Sequence, residues 1–147
     1  MAGGTALTPG QRITLECARR GRQALAASCA ALLHGRYGEV DDRLVVALGG
    51  EHGQNVLAGS DGGKAGYWPR VWAARGLLHA WDDGATEAII HATADDAWRV
   101  REMAAKVIAR HRVGDALDAV AALRSDTVPR VRAAAERALR LLTADGA

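Results

Sequence analysis

Trp98-Arg99-Val100-Arg101-Glu102-Met103-Ala104-Ala105 and Pro129-Arg130-Val131-Arg132-Ala133-Ala134-Ala135 decide the fold. With Pro69-Arg70-Val71 they place one short signature at the head of three alanine-rich runs, 29 and 31 residues apart. A period near 30 residues predicts stacked helix pairs, each of which buries its apolar stripe against the next. Composition points the same way. Hydrophobic residues make up 49% of the 147, yet there is no Phe and only four Trp, so the apolar mass is mostly small side chains that let helices approach closely.

Working outward, helices are predicted over 67–81, 84–93, 97–111, 115–124 and 128–142. Asp82, Asp83, Asp95, Asp96, Asp115 and Asp126 sit at their starts, where a carboxylate can accept from free backbone N–H groups and suits the positive end of the helix dipole. Pro69 and Pro129 stand in first turns, where a missing N–H costs little. Upstream, Thr8-Pro9-Gly10-Gln11 reads as a capping box that opens an N-terminal helix over 8–35, with Gly21 as either a close helix contact or a break. Asp41 and Asp42 begin a short helix through Leu48. Residues 49–66 hold seven glycines and predict a long loop, with one helical turn around Gln54–Ala58.

The Val-Arg-x-x-Ala runs at Val100 and Val131 resemble the second helix of HEAT repeats, in particular the short phycobilisome-lyase type. The resemblance implies an all-α, right-handed α-α superhelix. Its repeats would be 82–111 and 113–142, with a third, 41–81, split by the insert at 49–66; residues 8–35 would be an extra N-terminal helix capping one end of a single domain. It also implies a ladder in which an aspartate before each second helix meets an arginine six positions on: Asp95 with Arg101, and Asp126 with Arg132. Bilin lyases and DNA glycosylases carry similar repeats, but this chain is short for either, and the Trp68–Trp72 helix face offers no acidic residue as a base.

Charge is segregated along the chain. The second helices carry +2, +4 and +3, and the first helices with their caps carry the same total with opposite sign, which the formal net charge of +2 conceals. In HEAT arrays second helices line the concave face, so the resemblance implies a basic hollow suited to an acidic partner. Trp68, Trp72, Arg75 and His79 fall on one face of their helix and combine the residue types most used as binding anchors. Arg99, Lys106, Arg110, Arg130, Arg137 and Arg140 would add charge; Trp98 could extend the aromatic edge. A purely structural alternative is that the indoles cover the N-terminal helix or the insert.

Catalytic and metal chemistry find little support. The five histidines show no His-x-x-x-His pair and no adjacent cysteine. Gly59-Ser60-Asp61-Gly62-Gly63-Lys64-Ala65 is a poor phosphate loop, with Ala58 in place of the first glycine and Ala65 where Ser or Thr should bind the metal. Cys17 and Cys29, twelve apart in one helix, would lie about 18 Å apart, beyond disulfide reach, and read as buried thiols. Neither a leader at Met1–Leu7 nor a membrane-length apolar run is visible. The expectation is a cytoplasmic, non-catalytic scaffold or adaptor without metal or cofactor, holding an acidic or helical segment of another protein; nucleic-acid binding is the alternative. Arginine and alanine richness hints at a bacterial source.

Overall fold

The computed structural model describes residues 6–144, all helix, turn and loop; the reading of Met1–Thr5 as free of a leader lies outside the described residues. The helices are α1 (Pro9–Arg20), α2 (Arg22–Leu33), α3 (Asp42–Gly49), α4 (Glu51–Leu57), α5 (Tyr67–His79), α6 (Thr86–Ala92), α7 (Trp98–His111), α8 (Leu117–Ala122) and α9 (Pro129–Ala144). Short 3-10 turns extend α6 and α8. The second helices α5, α7 and α9 stack side by side, with α6 and α8 covering them on one side. This is an all-α solenoid.

The N-terminal segment forms two helices where one over 8–35 was predicted. Thr8 accepts from the Gln11 N–H at 3.1 Å while the Gln11 side chain accepts from the Thr8 N–H at 2.9 Å, so both free donors are satisfied at the start of α1. The helix then stops at Gly21, whose φ of 93° is open to glycine and strained for other residues. The reversal brings α2 against both α5 and α6. Among the helices that precede it, α5 is therefore in most extensive contact with α2, which lies outside the expected split repeat, while the expected first helix at 41–48, α3, packs on α1, α4 and α5. The break also removes the one-helix distance argued for Cys17 and Cys29. Both are free thiols, Cys29 buried and Cys17 partly exposed, so the reading of two buried thiols holds for Cys29 alone.

The insert is more ordered than a loop. Gly53 lets α4 lie on α3, since a Cβ there would sit 2.5 Å from the Val45 carbonyl oxygen. A 3-10 segment follows over Ser60–Ala65, in which Asp61, Gly62 and Gly63 take positive φ. Lys64 then ties it to the start of α3 through the Val40 carbonyl and Asp42.

Most of the core is one continuous cluster from Ile13 through Leu48 and Leu77 to Ala138; Ala105, Leu123, Val131 and Ala135 form a smaller one between α7, α8 and α9. Trp72 is part of the main core, only 4% exposed. Gly49 makes room for it, because a Cβ at that position would fall 2.6 Å from the indole ring. At the other end of α5, the His111 Nε2 lies 2.9 Å from the Leu77 carbonyl oxygen and 3.2 Å from that of Leu78, groups left without partners at a helix C-terminus. The same imidazole stacks on Trp81 with ring centroids 5.1 Å apart.

A ladder joins the repeats, in a register displaced from the expected one. Arg70 donates to the Asp95 carboxylate through Nε at 2.7 Å and Nη2 at 3.2 Å, and Arg101 meets Asp126 with the same two distances. Each aspartate thus faces the arginine of the preceding repeat. The arginine six positions on reaches a backbone carbonyl instead: Arg101 that of Asp95 at 2.8 Å, Arg132 that of Asp126 at 2.7 Å. The reason is geometric. Asp95 and Asp126 each accept from the backbone N–H two residues on, that of Ala97 and of Val128, and α7 itself opens without a side-chain cap, so each carboxylate is held in the turn before its helix, where the arginine of the preceding repeat reaches it. Arg70, Arg101 and Arg132 are spaced 31 and 31, so Arg70 corresponds to Arg101 and the apparent match of Pro69-Arg70-Val71 to Trp98-Arg99-Val100 is two residues out of phase.

Candidate interaction face

In this 31-residue register the predicted binding residues fall into rows across α5, α7 and α9. Trp68, Arg99 and Arg130 occupy one position, each second in its helix. Arg75, Lys106 and Arg137 occupy another, two turns further along, with His79 and Arg110 one turn beyond. Arg140 is exposed on α9 outside these rows.

The first row forms an alternating aromatic and cationic edge. The Trp68 and Trp72 rings stack with centroids 6.2 Å apart and 25° between planes. The Arg99 guanidinium lies 5.5 Å from the Trp68 ring and 4.5 Å from that of Trp98, and Arg130 lies 5.4 Å from Trp98. These are distances at which a cation is attracted to the ring quadrupole. Arg130 is further fixed by Glu102, whose carboxylate is 3.0 Å from its Nε and 3.6 Å from Lys106 Nζ.

Three hollows open along this face. One of about 530 Å³ separates the starts of α5 and α7 and is lined by Gly66, Tyr67, Arg70, Asp96, Trp98 and Arg99. Another, about 300 Å³, lies where Trp68 meets His52, Asn55 and Asp61 of the insert. Between α7 and α9 a groove of about 280 Å³ has Ala109, Ala133 and Ala134 on its floor and Glu102, Lys106, Arg130 and Arg137 on its rim.

Not every predicted anchor is available. Trp72 is buried behind Trp68, and Arg75 turns inward to donate to the Leu48 carbonyl at 2.7 Å. These two serve the packing of α5 on α3. His79 is exposed and rests on Gly10 beside a hollow of about 570 Å³ that includes Leu7, Thr8, Gln11 and Leu15. Its pKa lies below the ordinary histidine value through burial first, then the positive charges of Arg110 and Arg75. Lys106, Arg110, Arg130 and Arg137 are exposed, and Arg99 is half-buried.

Two participants escaped the sequence reading. Arg70 was left without a ladder role, although its distance of 25 residues from Asp95 equals that of Arg101 from Asp126. Glu102, 8% exposed, was counted only as a charge; its spacing to Lys106 is the i, i+4 signal that could have placed it. Among the described residues no group of three or more His, Cys, Asp or Glu side chains is placed to hold a metal ion, and no helix is long and apolar enough to cross a membrane.

The family model for HEAT repeats matches residues 66–140, from just before α5 into α9. The chain belongs to the HEAT-repeat family. HEAT repeats are generally protein-interaction scaffolds and typically non-catalytic. No curated protein and no solved structure matches this chain.

Proposed function

We propose that this HEAT-repeat protein is a non-catalytic adaptor that holds an acidic segment of another protein across the face of α5, α7 and α9. The observation that carries the proposal is the run Trp68–Arg99–Trp98–Arg130. It alternates two partly exposed indoles with two guanidiniums at about the same level of three neighbouring helices. Large aromatics and arginines lose little conformational freedom on binding and dominate interface energetics. Here both are already held in place by one another.

The rim cations of the α7/α9 groove extend the same preference for negative charge, and the alanine floor gives a partner helix room to approach. A segment with an apolar side chain for the indoles and carboxylates for Lys106, Arg110 and Arg137 satisfies the whole face. Apolar burial at the indoles would be little screened by salt, while the charged contacts would weaken with it.

The test is capture of partners from the native cell lysate by the tagged chain, with and without nuclease, beside an Arg99→Ala variant. A protein retained after nuclease and lost by the variant supports the adaptor. Material lost on nuclease treatment rejects it in favour of nucleic-acid binding. Equal retention by both proteins removes the aromatic edge from the interface.

A further inference from the structure

Two of the five histidines meet in space, and the proposed interface uses neither. His34 follows the last residue of α2, and His91 stands in the last turn of α6. The packing of α2 on α6 sets the two imidazole rings with centroids 4.8 Å apart and 40° between planes. Both line one hollow of about 320 Å³, which also takes in Arg70, Asp95 and Asp96. His91 is exposed and His34 half-buried, so the pair is open to solvent on the His91 side.

The charges around the pair leave carboxylates in excess. Arg70 is paired with Asp95 at 2.7 Å, and Arg36, two residues beyond His34, with Glu39 at 3.2 Å. Asp96 in the hollow and Glu87, one turn before His91 on α6, are exposed and form no ion pair among the described residues. Paired imidazoles suit zinc, copper and nickel, whereas carboxylates alone suit magnesium and calcium. The ring separation fits the first group. With metal–nitrogen bonds of about 2.0–2.1 Å and a tetrahedral angle, two imidazole centroids on one ion stand about 5 Å apart. A flip of either ring about its Cβ–Cγ bond presents the other nitrogen without moving the backbone.

We infer that His34 and His91 are the two protein ligands of a binding site for a divalent transition metal ion of the zinc class, with water in its remaining positions. Two side chains are fewer than a closed structural zinc site uses, so the ion binds reversibly and keeps exchangeable positions. The ligands belong to different units of the fold: α2 to the N-terminal helix pair, α6 to the first regular repeat. A bound ion therefore bridges that junction and stabilises the folded chain as its concentration rises. The site is independent of the adaptor reading, since neither histidine lies on α5, α7 or α9.

The test uses the untagged full chain near neutral pH with zinc chloride as the probe, read by the histidine ring signals in NMR and by the melting temperature. Zinc is expected to shift the His34 and His91 signals together, leave those of His52 and His79 in place, and raise the melting temperature by a few degrees. His91→Gln, an exposed substitution, should abolish the His34 shift and most of that rise while its metal-free melting temperature stays near that of the wild type. His34→Gln should abolish the shift at His91 in the same way. Unmoved His34 and His91 signals overturn the inference, as does a His34 shift that survives in His91→Gln. Equal shifts with magnesium chloride would reduce the effect to charge attraction at Asp96 and Glu87, and also overturn it. A rise in melting temperature with both rings unmoved would place the ion elsewhere, at Cys17 for example, with the same consequence. Each of these failures leaves the adaptor reading as it stands.

Discussion

From α5 to α9, successive helix pairs meet through one contact used twice: an arginine forks onto the aspartate just before the next second helix, Arg70 to Asp95 and Arg101 to Asp126. From α1 to α5 the contacts are each used once. Arg12 and Arg75 serve the last carbonyls of α3, Trp72 fills the space left by Gly49, and Lys64 ties the insert to the start of α3. A contact that recurs leaves a period in the sequence; one that occurs once leaves an unexplained Trp or Arg. That difference shows why Trp72 and Trp98, both indoles on second helices, have different duties. Trp72 faces an irregular neighbour and is used up by packing, whereas Trp98 faces a regular one and keeps an accessible edge.

The contrast is broken most severely at Trp72. Trp72→Ala is expected to cost about 3–5 kcal/mol in urea unfolding, because it empties a site that α3 and α5 cannot close around Gly49. A loss below about 1 kcal/mol would mean that the indole is peripheral. On the regular side, Asp126→Ala strands Arg101, with side-chain exposures of 17% and 7% for the pair, and is expected to cost about 3 kcal/mol.

The ladder also carries a signature in acid. Hydrogen bonding from Arg101 holds the Asp126 pKa below the ordinary value of 3.8, and Arg20 does the same for Asp41. Folded carboxylates of this kind bind fewer protons than the unfolded chain. Their stabilisation is complete above the ordinary value and is lost as pH falls through the lower folded one. Stability should therefore decline below about pH 4, and Asp126→Asn should flatten part of that decline. An unchanged slope would show that the pair contributes nothing in solution.

A milder test separates the two cysteines. Burial pushes the Cys29 thiol up to about 12, and the packing of α2 on Gly76 encloses it, while Cys17 is partly exposed. Iodoacetamide at pH 8 is expected to leave Cys29 unmodified in the native chain, with any native labelling confined to Cys17, and to label both only after unfolding. Native labelling at Cys29 would show that α2 opens from α5. Smallest in stability is Arg99→Ala, expected to cost below about 1 kcal/mol because cation–π contacts at partly exposed sites are weak.

How far the molecule is legible in its sequence follows the same divide. Val100 and Val131 lead directly to α7 and α9, because periodic burial is local; the caps expected of Asp95 and Asp115 are not made, since α7 and the turn before α8 open at Ala97 and Val113 without a side-chain cap. The ladder residues are legible too, but not their pairing, since spacing alone cannot distinguish the arginine six residues on from the one 25 residues back. That α2 packs on α5 and α6 depends on the turn at Gly21, whose two readings the sequence leaves open. Of the candidate site, Lys106, Arg110, Arg130 and Arg137 are exposed on α7 and α9, and Arg99 is half-buried. Trp72 and Arg75 were misassigned because helical phase gives the side of a helix and says nothing of what packs against it. Phase placed them on the side of Trp68; packing on α3 buries Trp72 and turns Arg75 inward.

The most direct test of the adaptor face is calorimetric titration of the captured protein partner into the wild type, Arg99→Ala and Arg124→Ala. Arg124 lies at the end of the first-helix layer and is paired with Glu136. Arg99→Ala should weaken binding about tenfold with its melting temperature nearly unchanged, and Arg124→Ala should bind as the wild type does. Equal affinity for all three proteins, or a larger loss from Arg124→Ala, would contradict a docking face on α5, α7 and α9.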